Sequence, residues 1–468
     1  GSNALPVSAQ TLAILPFVNN NPESTGDYLV LGFTDAVGSR LSAASGLELA
    51  GLFSASALQR QGLTPRAVGE RLRTMYVLEG SVRTVSERLH TSVRLTRVAD
   101  GSLLWSREFS APSSDVVALE QEVADSIGKA LQVQPADSDA AAAPTAIRAE
   151  AYDLYLKGRY AWEQRTRSKM EEALAYYRGA VARDPQFALA YSSLAEAYVN
   201  MLNFGHVPTR EALAIAEVAS AKAIALDTSL AEGYSTRGQV LASRGDYAAA
   251  ESAFRHAIEV RPGAPWAHHY YALLLAMEGR FAEAERETRR TLAIDPLSVP
   301  ANATLGILMA QQGRLDNART QLERTLQLSP NFVVTLYYLG SVEAAGGRYE
   351  QARAHLEQAL ATAPNFPGVR GALAYTFSKS GRDSDARRLL RESRERVAGQ
   401  ASMSDERTRL NHALDMALIG NADSAFAMMR TAQWDIPTLF DLRADPLLRR
   451  VRADPRYSKL AGALRIKS

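Results

Sequence analysis

The 468-residue chain has no cysteine. That excludes disulfides, thiolate nucleophiles and thiolate metal sites, and it leaves the compartment open, since a cysteine-free chain suits any redox environment. Lysine is scarce: it stands only at Lys129, Lys157, Lys169, Lys222, Lys379, Lys459 and Lys467, and arginine supplies the rest of the 53 basic side chains. With 51 acidic residues the formal net charge is +2, so the chain lacks the basic surplus of a polyanion binder. The arginine bias reads as the codon usage of a GC-rich genome, and no nucleic-acid contact is expected. No run of about 18 apolar residues occurs, so no stretch is built to span a membrane. Catalytic signatures are missing as well: there is no phosphate-cradling glycine loop, no zinc-protease histidine pair and no nucleophile elbow. Of the seven histidines (His90, His206, His256, His268, His269, His355, His412) only two are adjacent. Neighbours on a helix diverge by about 100°, so His268 and His269 are poorly placed to chelate one ion. Neither cofactor nor metal is expected.

The residues that are present make a folded chain, 46% hydrophobic and 22% charged. It is too long for one compact core. Gly1-Ser2-Asn3-Ala4 reads as an expression-tag remnant and stands outside the fold. From Ala231 to Pro364 the sequence repeats every 34 residues. Pro262, Pro296, Pro330 and Pro364 mark the beat, each preceded at an offset of 17 by a glycine: Gly245, Gly279, Gly313 and Gly347. Ala250, Ala284, Ala318 and Ala352 recur between them. Phe254, Leu322 and Leu356 come four positions later, with Thr288 the exception.

The pattern has a physical reading. Small residues at Gly238, Ala272, Gly306, Gly340 and Ala374 let a neighbouring helix approach closely. Each phase glycine takes positive φ past a first helix, and each proline stops a second. A hairpin with two apolar sides must stack on another to bury them. This resembles the tetratricopeptide repeat (TPR), a 34-residue pair of antiparallel helices that stacks into a right-handed superhelix. In phase with it are Tyr152–Pro185, the repeat from Ala188 (nine residues too long, the excess assigned to Asn200–Thr209), Gly381 with Ala386 and Leu390, and Gly420 with Ala425, Met429 and Pro437. The last interval has five extra residues, assigned to Val397–Ser404. About eight helical pairs are expected over 148–440, then capping helices over 441–468. There Asp445-Pro446 and Asp454-Pro455 each read as a helix N-cap with proline in the first turn, shielding the last repeat.

Residues 5–134 have another rhythm. Thr11–Phe17 reads as a buried strand, Tyr28–Ala44 as a helix, Leu47–Leu49 as a short strand and Thr64–Leu72 as a helix capped by Thr64. Met75–Thr84, Arg88–Arg97 and Leu103–Phe109 read as an antiparallel meander with Trp105 in the core, and Val116–Leu131 as a closing helix capped by Asp115. The order β-α-β-α-β-β-β-α is a mixed-sheet α/β domain. Proline-flanked residues 135–147 read as a linker. The phrases LAILPFVNN, GFTDAVGSRLS, YVLEGSVR, TSVRLTRVADGSLLWSREF and VALEQEVADSIGKAL resemble the TolB-like amino-terminal domain that precedes TPR arrays in many bacterial proteins. The resemblance implies the C-terminal, often extracytoplasmic, half of a membrane-anchored regulator whose N-terminal part is a Ser/Thr kinase, an adenylate cyclase or a winged-helix protein; a cytoplasmic location is the alternative. Which of these, if any, precedes Leu5 is left open, and so is the oligomeric state.

Projection of the TPR pattern places Trp266, His269, Leu273 and Met277 on the concave face, then Ile307 and Gln311, Tyr337 and Ser341, and finally Tyr375 and Lys379. The lining is apolar and aromatic and lacks the basic cluster that grips a terminal carboxylate, so an apolar or mixed peptide, or a partner's helix, is the expected ligand. The alternative is that the groove is filled from within, by residues 5–134 or the chain's own tail. Two other readings place function in the α/β domain, as a small-ligand sensor or as an enzyme using Asp27, Asp35 and Arg40. Of these, Asp27 reads otherwise as a helix cap and Asp35 as an exposed helical residue.

Overall fold

Residues Leu12, Ala13 and Ile14 are aliphatic because both faces of their strand are covered. The structure, a computed structural model, describes residues 10–133, 147–399, 406–430 and 442–463, apart from 22–25, 43, 45, 165, 204–206, 208, 365, 367 and 420. Strand β1 (Gln10–Ile14) pairs in parallel with β3 (Leu47–Leu49) on one side and β4 (Tyr76–Val85) on the other. A two-residue strand, β2 (Val18–Asn19), extends the parallel pairing along β4. Strands β4, β5 (Arg88–Arg97) and β6 (Leu103–Pro112) form the antiparallel meander, giving the order β3-β1-β4-β5-β6. Ser86 and Glu87, both at positive φ, make the tight turn between β4 and β5.

Helices α1 (Asp27–Ser42) and α4 (Val116–Leu131) cover one face through Phe33, Val37, Val123 and Ile127. Helices α2 (Leu52–Arg60) and α3 (Pro65–Leu72) cover the other through Ala55, Leu58 and Val68. The sequence does not announce α2: the residue before it, Gly51, offers no side-chain cap, and the helix buries only Ser54, Ala55 and Leu58. Thr64 caps α3, accepting from Ala67 N–H at 3.3 Å. Asp115 does not cap α4. A 3₁₀ turn over Ser113–Asp115 leads into that helix, and the Asp115 carboxylate accepts from Ser114 instead. Trp105 sits half-buried against the core, whereas Leu103 on the edge strand is 59% exposed.

Eight antiparallel helix pairs come next among the described residues. They are α5 (Ala149–Glu163) with α6 (Arg167–Arg183), α7 (Ala188–Asn203) with α8 (Thr209–Leu226), and α9 (Ala231–Ser243) with α10 (Tyr247–Val260). Then come α11 (Pro265–Met277) with α12 (Phe281–Ile294), α13 (Val299–Gln311) with α14 (Leu315–Leu328), and α15 (Val333–Ala345) with α16 (Tyr349–Thr362). The last are α17 (Val369–Lys379) with α18 (Asp383–Gly399), and α19 (Glu406–Leu418) with α20 (Ala422–Met429). Gly245, Gly279, Gly313, Gly347 and Gly381 all hold φ of 77–78°, the left-handed conformation that closes a helix C-terminus. The residue after each glycine donates back over the turn, as Asp246 N–H does to Leu241 O at 3.0 Å and Arg280 N–H to Leu275 O at 2.8 Å.

Small and large residues interlock within each pair. A Cβ added to Gly238 would lie 2.8 Å from the Phe254 ring, one on Gly306 2.7 Å from Leu322, and one on Gly340 2.6 Å from Leu356. The nine extra residues of the second repeat are not one loop. Helix α7 has 16 residues where α9 has 13, α8 has 18 where α10 has 14, and the rest widen the connection. The expected marker Pro437 lies outside the described residues, as does Gly420.

The α/β domain is not tethered loosely. Helix α1 lies along α5, with Gly32 so close to Leu156 that no Cβ would fit. Asp35 accepts from Arg159 at 2.5 Å across this contact, and Tyr28 donates to Asp153 at 2.8 Å. Asp35 is therefore not the exposed helical residue its sequence position suggests. Asp27 begins α1 and accepts from Asn19 at 2.7 Å. A second contact reaches the junction of α12 and α13. There Gly51 N–H donates to Ile294 O at 2.8 Å, Ser54 donates to Asp295 through both its N–H and its hydroxyl, and Leu297 N–H donates to the Ser54 oxygen at 2.9 Å. Asp295→Ala strips the acceptor from the buried Ser54 N–H and is expected to cost about 1–3 kcal/mol. Faster hydrogen exchange confined to residues 51–55 and 294–298 is the signature to measure. Unchanged exchange there would show that this contact does not bind the two parts.

The candidate groove and its occupant

The C-terminal segment folds against the first helices of the hairpins, α13 and α15: a 3₁₀ turn over Pro446–Leu448, then α21 (Arg449–Arg452) and α22 (Pro455–Ala463). The expected cap on the last repeat is thus only part of the picture. Arg456 does pair with Asp423 on α20 and lies over the Phe426 ring, 4.7 Å from its centroid. The rest of the tail, however, runs back to α15 and α13. Leu442, Ala444, Leu448, Val451, Tyr457 and Leu460 are buried in one core with Leu274, Met277, Ile307, Tyr338 and Leu339.

Asp445 anchors the tail. It is 0% exposed; one carboxylate oxygen accepts from the Tyr337 hydroxyl and, at 3.4 Å, from Ser341, while the other accepts from Leu447 N–H at 2.7 Å. Burial pushes its carboxyl above the ordinary range, opposed by these hydrogen bonds and by Arg452. Arg452 donates to the carbonyls of Leu442 at 3.0 Å and Asp445 at 2.9 Å, and to Gln311 at 3.4 Å. The Arg443 guanidinium stands beside Gly279, where a Cβ would come within 3.1 Å.

The ten residues projected onto the concave face fall into distinct places. Gln311, Tyr337 and Ser341 do converge, and the tail occupies them. Met277 and Ile307 are fully buried in the solenoid core, and Leu273 is half-buried against it. Trp266 packs half-buried on Ala257, Ala264 and Ala267, in a small cluster it shares with Tyr234 and Ile258. His269 has a buried Nδ1 without a partner among the described residues, and burial lowers its pKa to about 4. Lys379 is exposed and its ammonium lies 5.7 Å from the Tyr375 ring centre. The sequence projection missed Asp445, Arg443 and Arg452, which belong to the tail. The signal available was the Asp-Pro step, and it reports only a local turn.

The α/β domain shows how its carboxylates are used. Asp35 is engaged by Arg159, and Glu120 on α4 takes both its contacts from the Tyr152 hydroxyl at 2.8–2.9 Å. Ser393, His412 and Asp415 also meet in the interior between α17, α18 and α19. Their order is not that of a nucleophile, because the Ser393 hydroxyl donates to Asp415 at 2.6 Å while His412 Nδ1 meets that serine oxygen at 3.0 Å. In a Ser-His-Asp triad the imidazole stands between serine and carboxylate. Asp415 also accepts from Gly371 N–H at 2.9 Å, so the group ties three helices together. Among the described residues no set of three His, Cys, Asp or Glu side chains is placed to hold a metal, and no helix is long and apolar enough to cross a membrane.

Phase glycines at a constant backbone angle and interlocked, stacked hairpins define a tetratricopeptide-repeat solenoid joined to an α/β domain. The comparisons bear this out: tetratricopeptide-repeat models match residues 241–297, 343–405 and 304–368. The α/β domain matches, over residues 8–126, the family described as HilA/YgeH-like transcriptional regulator, second domain. A curated protein of Rhizobium meliloti (strain 1021) named "Putative adenylate cyclase 3" is 29% identical over 231 residues, which cover 48% of this chain and 39% of that protein. The chain therefore spans about two fifths of the curated relative it matches. Similar solved structures include PilW, a widely conserved type IV pilus biogenesis factor, at 18% identity and TM-score 0.39, covering 46% of this chain and 95% of PilW. The APC/C hetero-tetramer Cut9–Hcn1 is 15% identical with TM-score 0.43, covering 63% of this chain and 59% of that one. YrrB, a TPR protein with an unusual peptide-binding site, is 21% identical with TM-score 0.29, covering 40% of this chain and 92% of YrrB.

Proposed function

We propose that this chain is a non-catalytic scaffold or sensory segment of a bacterial signalling or regulatory protein, which takes a protein or peptide partner on the concave face of its solenoid. One observation carries the reading: the first helices of the hairpins already hold a segment, the chain's own helical tail, through buried apolar side chains and a bonded carboxylate, which is how a groove holds a peptide. Tetratricopeptide repeats are protein-interaction scaffolds, and the regulator-domain match and the cyclase-named relative support a signalling context. On this reading the chain lies on the extracytoplasmic side, as the TolB-like resemblance implies, with an effector such as a kinase, cyclase or winged helix in the parent protein. The α/β domain as a small-ligand sensor has less support, because Asp35 is committed to Arg159 and Asp27 to Asn19.

Photo-crosslinking in the native host tests it. A benzophenone side chain at Trp266, Tyr375 or Lys379 is expected to capture one common partner. The same probe at Val218, which is 69% exposed on α8, a second helix of its hairpin, is expected to capture none. Equal capture at all four positions, or capture at Val218 alone, would sink the concave-face reading.

A further inference from the structure

The tail that fills the groove also indicates what else the groove selects. Building on the concave-face reading above, we propose that residues 442–463 are a built-in ligand, and that the external partner presents a segment of the same chemistry. That segment carries a carboxylate and, within the next three residues, two adjacent aliphatic side chains, and it binds by displacing the tail.

The chain contains its own control. The tetrapeptide Arg-Ala-Asp-Pro occurs twice in the tail, at Arg443–Pro446 and at Arg452–Pro455. In both copies the aspartate turns the chain through its own local bond, Asp445 to Leu447 N–H and Asp454 to Arg456 N–H. Only the first copy places its carboxylate in the groove; the second reaches the groove through Arg452, which donates to Gln311. Asp445 is fully buried on Tyr337 and Ser341, whereas Asp454 stays at the surface and pairs with Arg456. The copies diverge after the proline, with Leu447-Leu448 in one and Arg456-Tyr457 in the other. Leu448 is buried in the groove core and Leu447 packs against it. The groove therefore reads a carboxylate and the aliphatic pair behind it, not the shared tetrapeptide.

The hook is built for exchange. Tyr337 and Ser341 lie four residues apart on α15, on one helix face, and hold the carboxylate with neutral hydroxyls. The cation whose charge favours the Asp445 carboxylate, Arg452, is brought by the tail itself. The tail is also an imperfect occupant. Arg443 is 7% exposed, yet its Nε and Nη2 have no partner among the described residues, and the buried Tyr457 hydroxyl has none either. Buried donors left without acceptors oppose binding. A partner segment that keeps the carboxylate and the aliphatic pair, without an arginine two residues before the carboxylate, avoids the first of these defects.

The test uses the full chain and a fluorescein-labelled synthetic peptide of residues 442–463. The wild-type chain is expected to bind it weakly. The Asp445→Ala chain, its own tail released, is expected to bind it at least tenfold more tightly and to melt at a higher temperature when the peptide is added. A peptide carrying Asp445→Ala, one carrying Leu447→Ala with Leu448→Ala, and a peptide of residues 451–463 are each expected to lose that binding. Adding Tyr337→Phe and Ser341→Ala to the Asp445→Ala chain should remove the gain. Equal binding of the Asp445→Ala peptide would overturn the proposal. So would an Asp445→Ala chain whose tail keeps its protection from hydrogen exchange and whose peptide affinity is unchanged. If these peptides fail while a partner still crosslinks on the concave face, the segment chemistry is wrong and the docking surface stands. If they succeed and no crosslink forms there, the tail is a self-ligand and the docking reading falls.

Discussion

Phe254→Ala is expected to cost about 3–5 kcal/mol, because the ring is 2% exposed and fills the space that Gly238 leaves open on the facing helix. The loss should not spread evenly. Each hairpin of a solenoid contacts mainly its neighbours, so weakening one pair lowers the coupling between the two sides of the stack. Urea unfolding monitored by helical circular dichroism and by tryptophan fluorescence should separate into two steps in the variant. The aligned positions sharpen the test. Where the first helix carries Ala272 instead of glycine, the second carries Thr288 in place of Phe254, Leu322 or Leu356. Gly306→Ala alone is therefore expected to destabilise by about 1–3 kcal/mol through overpacking. Leu322→Thr added to it should cost less than the sum of the two single changes, since the pair then copies the alanine–threonine match. Strict additivity would contradict the interlock.

The second large effect is a pH dependence seated between the two parts of the molecule. Burial raises the Glu120 carboxyl to about 8, with the Tyr152 hydroxyl and the more distant Arg40 opposing the rise. The folded chain thus holds a proton that the unfolded chain releases near its ordinary value of 4.5. Stability from this group is fully present below about pH 4.5 and declines as pH rises toward about 8, by up to ~1.4 kcal/mol per pH unit. Glu120→Gln keeps a polar partner for Tyr152 and has no proton to lose. It is expected to flatten the decline and to exceed wild type by a few kcal/mol at pH 9, with little difference at pH 5. Urea unfolding at pH 5, 7 and 9 checks this; parallel curves for both proteins would show that the proton sits elsewhere. Tyr152→Phe has the opposite sign, leaving the buried carboxyl without its donor at a cost of about 1–3 kcal/mol.

The repeat array was legible in the sequence because its constraints are local. A glycine that must take positive φ and a proline that must end a helix cannot drift without breaking the hairpin, so Gly245 to Gly347 announce themselves. Helix α2 was not legible, since Gly51 provides no side-chain cap and only Ser54, Ala55 and Leu58 of the helix are buried. The candidate site was half legible. Gln311, Tyr337 and Ser341 come directly from repeat phase, but repeat phase does not say that the chain's own tail shares a buried core with such positions, as it does with Met277 and Ile307. The Asp-Pro step marks Asp445 as an N-cap, which it is through one oxygen, at the start of the 3₁₀ turn. Its second oxygen serves a residue 108 positions away, and no local pattern encodes that.

A stack of hairpins behaves as a spring, with compliance spread along its length. Here the α/β domain grips that spring twice, at α5 and again at the end of α12 through Gly51, Ser54 and Asp295. The first four hairpins are braced like a spring clamped to a bar, and the turns free to change pitch begin at α13. The tail bonds to that portion through Tyr337, Ser341 and Gln311, and Arg443 reaches back to Gly279 between α11 and α12. A change of occupant there is expected to show as altered curvature of the last four hairpins, with the first four held together by the two grips.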